Sequence, residues 1–347
     1  MKPALRILSP GLMTSVQDLG RSGYQRLGIP VGGALDADAL QAANALAGND
    51  SGSGALEVMY VGPTFAVEAE SVRLAFVGAD APIDVFEDEQ AQVPTRIGVM
   101  RTVCLQRGQV VRIGSLARGA TLYIAVEGGF DIAPVLGSVS TYARGRMGGC
   151  AGRPLVAGDL LPLRQEKAAT SPDRALIDFD LPLPRSLRVL PGPQRDHFAD
   201  GAWDDLLAGE YVIGAGSDRM GMRLEGRKLH HAGGFDIVSD AVAPGSIQVP
   251  GHGQPIVLLA DRQTTGGYPK IATVISADLP ALGRLPIGAR IGFRSVTMEE
   301  AQAARRQWLA GIAQIAGKIV PLRRSESEIA AKLLEANLIS GVFDAAA

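Results

Sequence analysis

Between Leu258 and Ile275 the chain reads LLADRQTTGGYPKIATVI. One apolar run ends at Asp261 and a second begins at Ile271. Between them stand Asp261, Gln263, Thr264, Thr265, Gly266, Gly267, Tyr268 and Lys270. This set can hold a small polar amide. A lactam or urea presents a carbonyl acceptor and N–H donors on one planar unit, so its site needs donors and acceptors together. Lys270 can stabilise negative charge developing on a carbonyl oxygen or carboxylate. Asp261 and Gln263 can accept N–H groups, and the Gln263 amide can also donate. Thr264 and Thr265 adapt either way, and Gly266 and Gly267 let main-chain N–H groups come close. Tyr268 can cap the ligand or donate a proton. A structural reading of the same residues stays open: Asp261 caps a turn, the threonines bond the backbone, and Lys270 is a solvated strand end. His252, in the neighbouring loop PGHGQP, is placed to reach such a site.

A second concentration of polar side chains runs from Ser15 to Asp50. It holds Gln17, Asp18, Arg21, Tyr24, Gln25, Asp36, Asn44 and Asn49 among glycines that permit close backbone approach. Either a binding loop or an irregular structural segment has this texture.

Short buried strands must position both stretches. Apolar runs at Arg73–Gly78, Gln109–Gly114, Thr121–Val126, Ser186–Gly192, Ser246–Gly251, Pro255–Ala260, Lys270–Ile275 and Ala289–Arg294 predict strands covered on both faces. The 43 glycines and 21 prolines are spread between these runs, as tight turns require. Helices are fewer. Asp36–Gly48 places Leu40, Ala43 and Ala47 on one face ahead of a glycine stop, and Thr297 with Glu300 opens another helix as a capping box. Ser325 with Glu328 predicts a further helix near the end. The charged, proline-containing stretch 165–185 predicts a boundary, giving units at 1–165 and 186–296 and a helical extension at 297–347. Ala55–Asp80 aligns with Asp236–Asp261 without gaps, pairing Pro63 with Pro244 and Asp80 with Asp261, which suggests a duplication.

Bulk composition narrows the function. Apolar residues make up 46% of 347 residues, enough for a large packed core. A net charge of −2 gives no electrostatic reason to expect nucleic acid or an acidic membrane as partner. No apolar stretch reaches the roughly 18 residues of a membrane span, and the N-terminus lacks the apolar core of a signal peptide. Cys104 and Cys150 are far apart, so two inert thiols in a reducing cytoplasm are expected. Neither a phosphate loop nor a dinucleotide fingerprint, nucleophile elbow or biotin attachment sequence is present. His197, His230, His231 and His252 lack metal-ligand spacing, so no metal is expected.

The residues that carry a family likeness are Val16 to Arg21 with Gly23-Tyr24-Gln25, then Gly28-Ile29-Pro30 and Gly33 to Asp36. Glu57, the segment Gly128–Gly149 and IQVPGHGQPIVLLADRQTTGGYPKI, which includes Gln248, complete it. This pattern resembles the family of allophanate hydrolase subunit 2, KipA and the 5-oxoprolinase C subunit, related to half of the carboxyltransferase domain of urea carboxylase. The resemblance implies a mainly β protein of two tandem cyclophilin-like β-barrels with a helical C-terminal extension. It implies the C subunit of an ATP-dependent 5-oxoprolinase, acting with the A and B subunits, of which the KipI-like B subunit is the most direct partner. Two alternatives come with it: a carboxyltransferase moving carboxyl from carboxybiotin to urea or a related amide, and a non-catalytic regulator of a KipI-like kinase inhibitor. ATP is expected to serve the complex from a site off this chain. Lys270, Asp261 and Tyr268 are the expected catalytic groups. Gln248, Gln263, Thr264, Thr265, Gly266, Gly267, Gln17, Arg21, Asp36 and Glu57 are expected to bind the substrate.

Overall fold

A computed structural model describes residues 2–322. The helix expected from Ser325 lies outside them.

Residues Ala4–Ser9, Thr64–Val67, Ile83–Phe86, Thr95–Ile97, Val110–Ile113 and Leu160–Pro162 form a six-stranded sheet. A seven-stranded sheet faces it, ordered Met13–Gln17, Ala55–Met59, Ala117–Val126, Ser71–Asp80, Arg101–Gln106, Arg174–Leu176 and Ile319–Pro321. The core between the sheets takes Leu74, Phe76, Leu122 and Ile124 from the second sheet and Leu5, Phe65, Ile83 and Val111 from the first. The intervening Ala75, Val77, Tyr123 and Ala125 point the other way, onto helix α1 (Ala37–Ala47). Cover on both faces is why these strands read as unbroken apolar runs rather than alternating ones. Small side chains at Ala39, Ala42 and Ala43 let α1 lie close to the sheet. Asp36 caps α1 by accepting from the N–H groups of Asp38 and Ala39, and Gly48 ends it at φ 81°.

The second unit is a closed barrel of seven strands: Ser186–Pro191, Lys270–Val274, Ser246–Gln248, Ile256–Leu258, Gly221–Glu225, Tyr211–Ile213 and Arg290–Ser295. Parallel pairing of Ser186–Pro191 with Arg290–Ser295 closes it. Leu187, Val189, Tyr211, Ile247, Val257, Ile271 and Phe293 fill the interior. Two short helices, α2 (Ala202–Ala208) and α3 (Leu279–Arg284), sit on the barrel. Helix α4 (Met298–Ala313) follows it, opened by the Thr297–Glu300 capping box.

The mainly β expectation holds, and each predicted strand run contains a strand. Two details differ. The stretch 165–185 is not only a connection, because Arg174–Leu176 pairs with both Arg101–Gln106 and Ile319–Pro321. Past α4 the chain therefore returns to the first unit as a strand, aided by the β-branched Ile319 and Val320. The aligned aspartates of the two halves have different settings: Asp80 is exposed, with Arg118 4.0 Å away, whereas Asp261 is buried.

The units meet tightly at α3. A Cβ on Gly283 would lie 2.4 Å from the backbone carbon of Leu35. Gly283→Ala is expected to destabilise the chain by about 1–3 kcal/mol through overpacking. Thermal denaturation checks it, and an unchanged melting temperature would refute this close approach.

Candidate functional site

Lys270 is the first residue of its barrel strand. Its side chain is 2% exposed, so it is not a solvated strand end. Burial of the stem leaves the ammonium directed at one carboxylate, with Nζ 2.9 Å from Asp240 Oδ2. Asp240 lies on a two-stranded ribbon, paired with Gly266, while Ala241 pairs with Thr265. Gln194 ties the pair in place: its Nε2 donates to Asp240 Oδ2 at 3.0 Å and its Oε1 accepts from the Lys270 N–H at 3.2 Å. Hydrogen bonds from Lys270, Gln194 and the Ala241 N–H hold the Asp240 carboxyl below its ordinary value.

Two primary amides lie alongside. Gln248 Nε2 donates to the Tyr268 carbonyl at 3.3 Å, and Gln248 Oε1 accepts from Gln263 Nε2 at 3.1 Å. Gly266 packs against them: a Cβ there would fall 2.7 Å from Gln248 Nε2 and would push that amide aside. The Gly267 carbonyl accepts from the Ile237 N–H, and the Thr264 carbonyl from the Val242 N–H, which fastens the ribbon to the loop before the barrel strands. Tyr268 is 40% exposed at the edge of this array. His252 is exposed, and its Nδ1 accepts from the Gln254 N–H. The array thus holds a buried ammonium, a half-exposed carboxylate, two amides and an accessible phenol, the mixture of donors and acceptors that an amide ligand needs.

Asp261 belongs to a different place. Arg219 grips it from Nε at 2.9 Å and Nη2 at 3.0 Å, while Arg219 Nη1 donates to Glu57 across the boundary between the units. Arg219 Nη2 also donates to the Gly33 carbonyl at 2.6 Å. The second oxygen of Glu57 accepts from the Tyr123 hydroxyl and, at 2.8 Å, from the Leu35 N–H. Burial acts to lower the Arg219 pKa, but Glu57 and Asp261 outweigh it, and the guanidinium ends above its usual range. Burial and the neighbouring Glu57 push the Tyr123 phenol well up, so it stays protonated and donates.

Gln17 and Arg21 join this second group. Gln17 lines a cavity of about 130 Å³ together with Ser15, Thr141, Asp218, Arg219 and Asp261. Its Nε2 donates to Ser15 and to the Thr141 carbonyl, while its buried Oε1 has no partner. Arg21 Nη1 is likewise buried and unpartnered. A Cβ on Gly32 would lie 3.4 Å from that nitrogen and 3.6 Å from Asp261 Oδ1, which places Arg21 and Asp261 together beside the space that a side chain at Gly32 would take. The Asp36 carboxylate caps α1 and pairs with Arg284 at 2.7 Å, while the Asp36 N–H donates to the Tyr123 hydroxyl at 2.9 Å.

The structure therefore divides the expected residues. Lys270, Tyr268, Gln248, Gln263 and the Thr264–Gly267 turn form the array at the barrel. Asp261, Glu57, Gln17 and Arg21 converge at the boundary between units, and Asp36 anchors a third contact. Among the described residues, no hydrogen bond joins Lys270 to Asp261. Asp240, Gln194 and Arg219 were not legible in the sequence: Arg219 and Glu57 are 162 positions apart, and no spacing rule links them. Among the described residues, no group of acidic, histidine or cysteine side chains could hold a metal ion, and no helix is long and apolar enough to cross a membrane.

These features define a mainly β protein with an amide-rich array on its barrel. The chain belongs to the family described as carboxyltransferase domain, subdomain A and B, which matches residues 27–295. It is 36% identical to the 5-oxoprolinase C subunit of Escherichia coli, over 91% of this chain and 98% of that protein. Against the 5-oxoprolinase C subunit of Haemophilus influenzae it is also 36% identical, over 87% of this chain and 94% of that one. The crystal structure of the K. lactis urea amidolyase superimposes with a TM-score of 0.80 at 28% identity, covering 94% of this chain and 21% of that chain.

Two outcomes follow from the geometry. Arg219→Met leaves Glu57 and Asp261 buried without their cation, and is expected to cost about 3–5 kcal/mol in urea denaturation. A loss below about 1 kcal/mol would place Arg219 with ordinary surface ion pairs. The second concerns Asp240. Its folded pKa lies below the ordinary 3.8. It therefore favours the folded state above that pH, and the contribution fades as pH falls through the depressed value. Carboxyl ¹³C titration should find Asp240 below 3.8 in the native chain and shifted upward in Lys270→Met. An identical titration in both would remove Lys270 as the cause.

Proposed function

We propose that this chain serves as the C subunit of an ATP-dependent 5-oxoprolinase, opening the lactam of 5-oxo-L-proline to L-glutamate together with the A and B subunits. The observation that carries this reading is the end-to-end likeness to the E. coli protein, over 98% of its length at 36% identity. Opening the lactam adds the oxygen of water to the ring carbonyl carbon, which builds negative charge on the carbonyl oxygen; the ring C–N bond then breaks, and the leaving nitrogen takes up a proton. In this reading the Lys270 ammonium faces the developing charge, already fixed by Asp240 and Gln194, so little reorganisation is needed. Gln248 and Gln263 orient the amide, and Tyr268 supplies a phenolic O–H at the accessible edge. Hydrolysis of ATP belongs to the complex, with its site off this chain. The KipI-like B subunit is the partner that completes the array.

A second reading has one observation in its favour, the superposition on urea amidolyase over 94% of this chain. There the same array would receive urea or a related amide, with carboxybiotin delivered by another protein supplying the carboxyl group. Gln248 and Gln263 are the residues suited to its ureido ring.

Turnover decides the first reading. Glutamate release by the complex of this chain with the A and B subunits should require this chain, and Lys270→Ala should lower it by about 10²–10³, the usual loss for one preorganised electrostatic contact. Thermal melting of the variant and co-elution with the B subunit control for folding and assembly. Wild-type turnover in a folded, assembled Lys270→Ala complex sinks the assignment of the site. Equal turnover without this chain sinks the assignment of the function.

A further inference from the structure

A cavity of about 230 Å³ lies where the two units meet α3 and α4. Its wall is mainly apolar, with Leu35, Leu258, Leu279, Pro280 and Trp308, and two arginines complete it, Arg262 and Arg305. Arg262 is 2% exposed. Its Nε donates to the Val242 carbonyl at 3.1 Å and its Nη1 to the Leu259 carbonyl at 3.4 Å. Among the described residues, its Nη2 has no acceptor and its guanidinium has no carboxylate partner. Burial alone acts on its pKa, and lowers it. Three other deeply buried guanidiniums are treated differently: Arg73, Arg219 and Arg284 are each paired with two carboxylates, whereas Arg21 shares with Arg262 the lack of an ion pair among the described residues. A buried cation is normally compensated, and here no counter-charge comes from the described residues.

Nearby acids are already engaged. Asp38 accepts from Trp308 Nε1 at 2.6 Å and from Arg284 Nη2 at 2.7 Å. Asp36 is held by Arg284 and Asp261 by Arg219. Arg305 stacks on Trp308, with its guanidinium carbon 4.2 Å from the ring centroid, and makes no ion pair among the described residues. The indole is thus anchored on one side by Asp38 and covered on another by a second unpaired cation.

We propose that this cavity binds a small carboxylate with an apolar body, at a site separate from the Lys270 array and independent of the reading above. The carboxylate lies against Arg262 and Arg305, and the ring or short chain against Leu279, Pro280 and Trp308. Charge and wall agree on this class. Guanidinium donors match a carboxylate, and the apolar wall cannot replace the hydration of a phosphate dianion. The volume suits a ligand of a few carbons, below the roughly 300–1,000 Å³ of pockets for drug-sized molecules.

The fluorescence of Trp308 reports on the site directly. In the full-length chain carrying Trp203→Phe, Trp308 is the remaining tryptophan. Cyclopentanecarboxylate should change its emission saturably, and cyclopentanecarboxamide, the same shape without charge, should bind at least tenfold more weakly. Arg262→Met should weaken carboxylate binding at least tenfold, while Arg262→Lys retains part of it. No saturable response to the carboxylate, or an equal response to the carboxamide, overturns the proposal. Unchanged binding in Arg262→Met does the same, and tighter binding of inorganic phosphate overturns the carboxylate assignment. Should Arg262→Met not fold, the carboxylate-to-carboxamide ratio with Arg262 present and the loss in Arg305→Met decide instead.

Discussion

Arg219 sits buried between Glu57 of the first unit and Asp261 of the second, and the arrangement of both units depends on it. Three charges in a low-dielectric interior are tolerable only in a geometry that satisfies them all. Arg219 bonds both oxygens of Asp261, one oxygen of Glu57 and the Gly33 carbonyl, and Tyr123 and the Leu35 N–H complete Glu57. Displacing either unit would strand a buried carboxylate. Asp36 and Arg284 repeat the device a short way along the chain, again with one partner from each unit. The close approach of Gly283 to Leu35 fills the space beside them. Charge pairing thus sets how the units are registered, and apolar contact follows it.

That registration has consequences for chemistry. Residues that a reader of the sequence would gather into one loop are separated by it. Asp261 turns inward to hold Arg219, while Lys270, nine positions on, starts a barrel strand and faces the ribbon at Asp240. The barrel array is therefore a unit of the second half alone, open at Tyr268, and the boundary network serves assembly as well as lining the small cavity by Gln17. Arg262 lies between the two regions in sequence and shares in neither: its side chain turns to the cavity under α4, where no carboxylate of the described residues pairs with it.

Local chemistry made much of the fold legible. Consecutive apolar residues at Arg73–Gly78 and Thr121–Val126 announced strands covered on both faces, and α1 and the opposing sheet are those covers. Asp36 with Gly48, and Thr297 with Glu300, marked helix ends, because a cap is satisfied within a few residues of itself. The stretch Asp261–Lys270 stood out for the same reason: donors, acceptors and glycines within one turn carry their own signal. The family likeness rested on such short segments too, and the match over residues 27–295 agrees with it.

What the sequence determined by itself was therefore the local part: strand and helix identity, the mainly β class, and the short stretches where polar groups concentrate. Partnership was decided by tertiary structure. Nothing in SDRMG indicates that Arg219 will reach Glu57, 162 positions away, and nothing in VSDAV indicates that Asp240 will meet Lys270. The return of Ile319–Pro321 to the edge of the seven-stranded sheet was equally hidden, because strand pairing is set by which edge remains open after the rest has folded. Hydrogen bonds within a turn are written in adjacent residues, whereas a buried charge finds its partner only when the folded chain brings one within about 4 Å.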